Sequence, residues 1–472
     1  MSKPTQPATV TLDIDPGKPS AHLDSSDPQD QADPDRPFSI LILGDFSGHT
    51  TEHPAGLRPV HVDRDNFDDV LRGMNIRLNL HLGSSDKTLA MHFADLADFE
   101  PDGIYQRYEV FRNLGDVPSA LPTREVPTAA QGDVTPASLK NLTGGNLLDN
   151  IVEASESRRP TRPRPKDELR QLVEKMTAPY VVPKEDEVTA YSAKRAEERA
   201  GILMRAILHH PDFQALEAAW RAVWKLTRQL DTDKNLKIYL LDISKPELTR
   251  NLTGLRDVVV RSGDERWAVL AGNYVFDRTE ADIELLMNVG TLAQSAGAPF
   301  LAESLPPDDS DQTNQTWQGL RRSPCARWIG LALPRFILRQ PYGPSSYGAE
   351  SFRFEEMAGL SEHNDYLWGN PAFACVLLLG QSFSEYGWQF RPGTLHTIAN
   401  LPLHTYEVDG ELQAQPCAEI LMTEREADYI AGGGLMPLAS IKRTDAIRVV
   451  RFQSIADPPA PLSGGWDYSY LG

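Results

Sequence analysis

Residues 38–43 form an apolar run in which only Ser39 is polar, and Gly44, Asp45, Ser47 and Gly48 follow it closely. This reads as a buried strand ending in a tight turn. Residues 65–71 place Phe67, Val70 and Leu71 on one helical face. Ile76, Leu78, Leu80 and Leu82 then alternate with Arg77, Asn79 and His81, and Leu89, Met91 and Phe93 repeat the period. Two such runs predict a hairpin that turns at residues 83–86.

A second series begins further on. Residues 197–210 are rich in helix formers, and Pro211 suits the first turn of a fresh helix. In that helix Phe213, Leu216, Trp220, Val223, Trp224 and Leu226 fall near the i, i+3, i+4, i+7 grid, which predicts a wide buried face carrying two indoles. Strands are predicted at 236–243, 267–276, 299–302 and 327–338, and helices at 282–296 and 371–386, the latter opening on Pro371. Strands and helices in alternation predict an α/β fold (α+β mixed) of mixed sheets flanked by helices.

Composition divides the chain. Residues 1–36 hold seven Asp and six Pro against three Lys or Arg, too little apolar surface to offset ordering, so an acidic arm is expected. Within it Val10, Leu12 and Ile14 alternate with Thr11 and Asp13, either an exchange strand over residues 9–15 that needs a sheet edge or a chance alternation. Units are expected at 37–117 and 166–456, joined by a Pro/Arg-rich linker at 118–165 and followed by a loop-like tail at 457–472. Arg158, Arg159, Arg162 and Arg164 lie among prolines without interleaved aromatics, so the cluster is not read as an RNA-binding arm. Lys plus Arg number 47 against 66 Asp plus Glu, a net charge of −19, which argues against nucleic-acid partners and anionic membranes. No apolar run approaches a membrane span and the first residues lack a signal-peptide core, so a cytoplasmic location without membrane insertion is expected.

The chemistry of an enzyme is missing. The turn at 44–48 places Phe46 where a nucleophile elbow needs Ser, and no phosphate loop occurs. Residues 431–434 follow an acidic helix, so Gly432, Gly433 and Gly434 suit a helix end better than a dinucleotide site. Adjacent His209 and His210 point apart and are expected to cap or pack. Asp308, Asp309 and Asp311 lack the rest of a calcium loop. Cys325, Cys375 and Cys417 form neither a disulfide framework nor a metal knuckle. The sequons at Asn141, Asn251 and Asn314 carry no meaning in a cytoplasmic chain. No catalytic, cofactor-binding or metal-ligating residue is assigned, and no cofactor is expected.

Two stretches resemble the two subunits of the contractile sheath of the bacterial type VI secretion system. Residues 37–117 are similar to the small subunit through Pro37-Phe38, Leu43-Gly44-Asp45-Phe46-Ser47-Gly48, Val62-Asp63, Asp65-Asn66-Phe67-Asp68 and Asp98-Phe99-Glu100-Pro101. The strand pattern at Val10 to Ile14 is similar to that subunit's N-terminal strand. Residues 195–455 resemble the large subunit. Its runs include 207–214, Leu216-Glu217 through Trp220-Arg221, 236–238, 272–276, 298–300, Leu333-Pro334-Arg335-Phe336 and Leu338-Arg339-Gln340-Pro341-Tyr342-Gly343. Phe354-Glu355-Glu356, Leu367-Trp368-Gly369-Asn370, Pro416-Cys417-Ala418-Glu419 and Gly434 through Leu438 complete the series. Together they cover roughly 340 residues in collinear order.

The resemblance implies a structural, non-enzymatic role. Partners would be sheath subunits, either self or separate small and large chains, together with an inner tube, baseplate proteins and a disassembly unfoldase. Two departures stand out. Both signatures share one chain, and the chain ends soon after the Gly434 to Leu438 motif, where the large subunit normally continues. A capping or initiating component is therefore a variant of the same reading, and an adaptor or chaperone with the sheath-subunit fold, binding baseplate parts or effectors, is the alternative.

Overall fold

The computed structural model describes residues 36–48, 56–82, 88–112, 185–260, 266–307, 314–344, 346, 348–358, 363–408 and 411–470. The arm with its strand at 9–15, the linker at 118–165, the hairpin turn at 83–86, Asn141, and Asp308, Asp309 and Asp311 lie outside the described residues.

The elements run in chain order β1 (Phe38–Gly44), β2 (Val60–Val62), α1 (Phe67–Gly73), β3 (Ile76–His81), β4 (Thr88–Phe93) and α2 (Pro101–Arg107). After residue 184 come α3 (Glu185–Leu208), α4 (Pro211–Gln229), β5 (Leu236–Asp242), α5 (Lys245–Arg250), α6 (Leu252–Val260) and β6 (Trp267–Phe276). Then follow α7 (Glu280–Ala296), β7 (Phe300–Ser304), α8 (Gln315–Arg321), β8 (Ile329–Leu333), β9 (Phe336–Ile337) and β10 (Trp368–Gly369). The series ends with α9 (Pro371–Tyr386), β11 (Thr397–Ile398), β12 (Thr405–Val408), β13 (Glu411–Ala414), α10 (Glu424–Gly432), β14 (Met436–Ser440) and β15 (Ile447–Val449).

Nine strands make one mixed sheet in the order β11-β15-β14-β8-β7-β6-β1-β5-β2. The six central strands, β14 to β5, are parallel, while β2 on one side and β15 and β11 on the other run antiparallel to their neighbours. β1 is a central strand, bonded to β5 from Phe38↔Leu236 to Gly44↔Asp242 and to β6 on its other side. The first sequence unit therefore supplies a central strand, β1, and an edge strand, β2, to a sheet whose other strands come from the second.

Both faces of that sheet are covered, which explains the unbroken apolar texture of β1. Phe38, Ile40 and Ile42 enter one core, with α3, α4, α9, α1 and the β3–β4 hairpin; Leu41 and Leu43 enter the other, with α6, α7 and α8. The hairpin pairs Ile76↔Phe93 through His81↔Thr88, and Ile76, Leu78 and Leu80 face the core while Arg77, Asn79 and His81 face solvent. Apolar on nearly every side, α9 is buried from Pro371 to Gly380.

Three expectations change. Trp220 is fully buried, but Trp224 is 42% exposed with the Arg228 guanidinium 5.8 Å from its ring centroid. The buried arc of α4 is centred towards Ala219, Val223 and Leu226, leaving Trp224 at its rim. The single strand expected at 327–338 is broken into a 3-10 turn, β8 and β9, because Pro334 supplies no amide to the ladder. The tail from 457 is irregular as expected, yet Leu462 and Trp466 are buried in the first core, and a further 3-10 turn spans Gly465–Tyr470.

Candidate functional site

The runs Leu216 to Arg221, Leu338 to Gly343 and Phe354 to Glu356 are far apart in sequence but converge on one buried charge cluster. Glu217 and Arg221 are one turn apart on α4, and Arg221 Nε donates to Glu217 Oε1 at 2.7 Å. Arg339 lies between two carboxylates: it donates to Glu217 (2.8 and 3.3 Å) and to Glu356 (2.7 and 3.0 Å). Tyr342 completes the ring. Its hydroxyl accepts from Arg221 at 2.8 Å, its amide donates to Glu356 at 2.7 Å, and the Arg339 guanidinium lies 4.2 Å from its ring centroid.

Such a cluster is costly to bury and stable only when every group is paired. Burial works to raise the Glu356 pKa, but Arg339, with hydrogen bonds from its neighbours, brings it down to about 2. Arg339 is driven the other way. Burial opposes its charge, yet Glu217 and Glu356 hold it well above the ordinary arginine value. Burial also raises the Tyr342 phenol, against the pull of Arg221 and Arg339.

The other motifs pair in the same manner. In the turn after β1, the amides of Phe46 and Ser47 donate to Asp242 Oδ1 at 2.8 and 3.3 Å, at the end of β5. Gly48 N donates to Asp45 Oδ1 at 2.8 Å; its φ is +68°, and a Cβ there would stand 2.5 Å from Arg77 O, so the position needs glycine. Trp220 Nε1 donates to Phe46 O at 2.9 Å, tying α4 to this turn. Asn370 caps α9 through Ala372 N at 2.9 Å and donates to Tyr274 O of β6 at 3.1 Å. Asp98 pairs with Arg107 and takes the amides of Ala94 and Asp95.

The remaining candidates have structural occupations. His210 caps α4, its Nδ1 3.3 Å from Asp212 N, while His209 lies 3.3 Å from Asp365 and 3.7 Å from Glu356. Gly434, at φ +85°, turns the chain from α10 into β14. Asn251 accepts from Gly254 N and Asn314 caps α8. All three cysteines are buried, and burial pushes the Cys375 thiol up to about 12 and that of Cys417 to about 11, where neither is a nucleophile. An open cavity of about 510 Å³ is lined by Asp98, Glu100, Asp102, Arg107 and Glu350 among others, but Asp102 already accepts the amides of Glu350 and Ser351. Among the described residues no group of three or more His, Cys, Asp or Glu is placed to hold a metal ion, and no helix is long and apolar enough to cross a membrane. The joining of Glu217, Arg339 and Glu356 was missed in the sequence. Its signal was charged residues embedded in otherwise apolar runs.

Residues 196–307 and 309–456 match the family described as EvpB/VC_A0108, tail sheath N-terminal domain, and residues 23–125 match the family described as Type VI secretion system, VipA, VC_A0107 or Hcp2. A curated relative, the type VI secretion system sheath protein TssC1 of Pseudomonas aeruginosa, is 32% identical over 289 residues, which is 53% of this chain and 58% of the relative. The chain thus spans little over half the length of that relative. Among solved structures, the baseplate of the anti-feeding prophage aligns at a TM-score of 0.33 and 13% identity, covering 54% of each chain. The contracted PVC sheath complex of an extracellular contractile injection system aligns at 0.31 and 10%, also covering 54% of each.

Proposed function

The chain belongs to the EvpB/VC_A0108 family of type VI secretion tail-sheath proteins, and from that membership we propose that it is a structural component of a contractile sheath. It carries the small-subunit-like portion (37–117) and the large-subunit-like portion (166–456) on one chain, joined by the 118–165 linker. The observation that supports this reading most is the position of β1. A strand of the VipA-like portion is hydrogen-bonded on both sides within the sheet of the VipB-like portion, so the two signatures form one structural unit. A fold whose motif residues are occupied in pairing with one another suits a load-bearing subunit and not a catalyst.

On this proposal the protein is cytoplasmic and has no catalytic activity. It assembles with itself or with separate sheath subunits around an inner tube, in contact with baseplate proteins, and an unfoldase dismantles the assembly. Negative-stain microscopy of the purified full chain, alone and mixed with separate small and large sheath subunits, tests the central claim. Helical tubes or tube ends that incorporate the chain are expected. Monodisperse particles in every mixture, with no binding to preformed sheath, would overturn it.

A further inference from the structure

A trough runs along α2. Its larger end is the open cavity of about 510 Å³, and a second cavity of about 260 Å³ adjoins it, with Gln106 lining both. The larger end is acidic. Asp98 is paired with Arg107, but Glu100, Asp102 and Glu350 have no cation within ion-pair distance among the described residues. The Glu100 carboxylate lies over the backbone of Gly348, where φ is +89° and a Cβ would stand 2.8 Å from Glu100 Oε2. The smaller end is aromatic. Tyr105 and Phe111 stand in its wall, and the Tyr105 ring is stacked on Phe352 at 4.4 Å. Both portions of the chain build this trough, α2 from one and the 348–352 segment from the other.

Arg112, the last described residue before the linker, also lines the smaller end, so the chain leaves from the trough itself. The linker carries the run Arg158-Arg159-Pro160-Thr161-Arg162-Pro163-Arg164-Pro165, which lies outside the described residues. Arg159 and Arg162 are three residues apart, as are Pro160 and Pro163. A polyproline helix has three residues per turn, so this spacing suits one side of arginines and one of prolines. Such segments are recognised by aromatic walls that take the rings and by carboxylates that take the guanidinium forks. The connections are long enough. A coil of 45 residues, the length from 113 to 157, has a root-mean-square reach of about 35–40 Å. On the far side the 19 residues from 166 to 184 extend up to ~60 Å. They need less, because Arg205 of α3 donates to Glu355 O at 2.9 Å and Glu185 lies ~30 Å back along that helix.

We propose that the trough along α2 is a docking site for the chain's own residues 158–165, with arginines on Glu100 and Glu350 and prolines against Tyr105 and Phe111. The charges are complementary: four arginines meet the acidic end of a trough that otherwise has carboxylates in excess. The tether favours this occupant over a free one, since the run starts from the trough's own rim and is held at an effective concentration near the millimolar range. Once docked, it bridges α2 and the 348–352 segment and divides the linker into two shorter connections. The docking holds whether or not the chain polymerises.

A fluorescein-labelled peptide of residues 156–167, followed by anisotropy, tests it against the full chain carrying Arg158→Gln, Arg159→Gln, Arg162→Gln and Arg164→Gln. Saturable binding is expected, weakened roughly tenfold when Glu100→Gln is added; Glu350→Gln serves if that variant does not fold. The parent chain should bind the same peptide roughly tenfold more weakly, because its own run fills the trough. Hydrogen exchange at residues 101–112 and 348–354 should be faster in the four-Gln chain than in the parent, by the same factor at every protein concentration. Protection that grows with concentration in the parent would assign the trough to another copy and overturn the proposal. Equal peptide binding by the parent and the four-Gln chain, or binding that ignores the trough carboxylates, would overturn it as well.

Discussion

Arg339 answers two buried carboxylates at once, so its removal leaves Glu217 with Arg221 and leaves Glu356 without its guanidinium partner. Arg339→Met should cost ~3–5 kcal/mol, read as a lower urea midpoint with unchanged slope. The pH dependence follows from Glu356. Its folded pKa of about 2 lies below the unfolded value near 4.5, so its contribution is present above about pH 4.5 and is lost as the pH falls towards 2. Arg339→Met should flatten that acid limb of the stability profile; an unchanged limb would mean another carboxylate dominates. Trp220 gives a second test at this scale, with Phe46 and Phe67 each 5.8 Å from its ring, edge to face. Trp220→Ala should cost ~3–5 kcal/mol, whereas Trp224→Ala, at the exposed rim, should stay within about 1 kcal/mol. Helical spacing alone put both indoles on one face. It fixed their angular separation but not where the buried arc ends, which depends on what α4 packs against.

Among the elements, β1 and α9 were legible in the sequence because each is buried nearly all round, which leaves a largely apolar run bounded by glycine, proline or asparagine. The β3–β4 hairpin was legible for the opposite reason, one buried face giving a clean alternation. What escaped was short. β9, β10 and β11 are two residues long, and such strands exist only because a partner segment arrives from elsewhere in the chain. The candidate site behaved likewise: each motif was visible, but the ion pairs joining Glu217 to Arg339 and Arg335 to Glu419 cross more than eighty residues. One expected element, the strand at Val10 to Ile14, lies outside the described residues, yet the sheet offers edges for it in β2 and β11. If it docks on a neighbouring copy, deleting residues 1–15 should abolish assembly and leave the monomer's melting temperature nearly unchanged. Docking within its own chain would instead lower that temperature. Exchange at residues 10–14 matching a free coil under assembling conditions would reject both.

For the whole molecule, the decisive feature is that the first seventy or so described residues have no separate core. Phe38 stacks on Phe383 at 4.8 Å, Phe93 and Phe99 meet Phe213 at 5.9 and 5.8 Å, and β1 divides β5 from β6. A strand in that position cannot leave without opening main-chain bonds on both sides and exposing both cores. The covalent link through residues 113–184 therefore supplies effective concentration, while the shared sheet supplies the cohesion. Cutting a protease site placed within residues 118–165 should leave both pieces co-eluting as one particle at micromolar concentration. The cut protein should melt at a temperature that rises with its concentration, because unfolding now releases two chains, whereas the uncut protein should show no such dependence. Separate elution of the amino-terminal piece after cleavage would mean that β1 is held mainly by its tether, and the single-sheet account of this fold would fail.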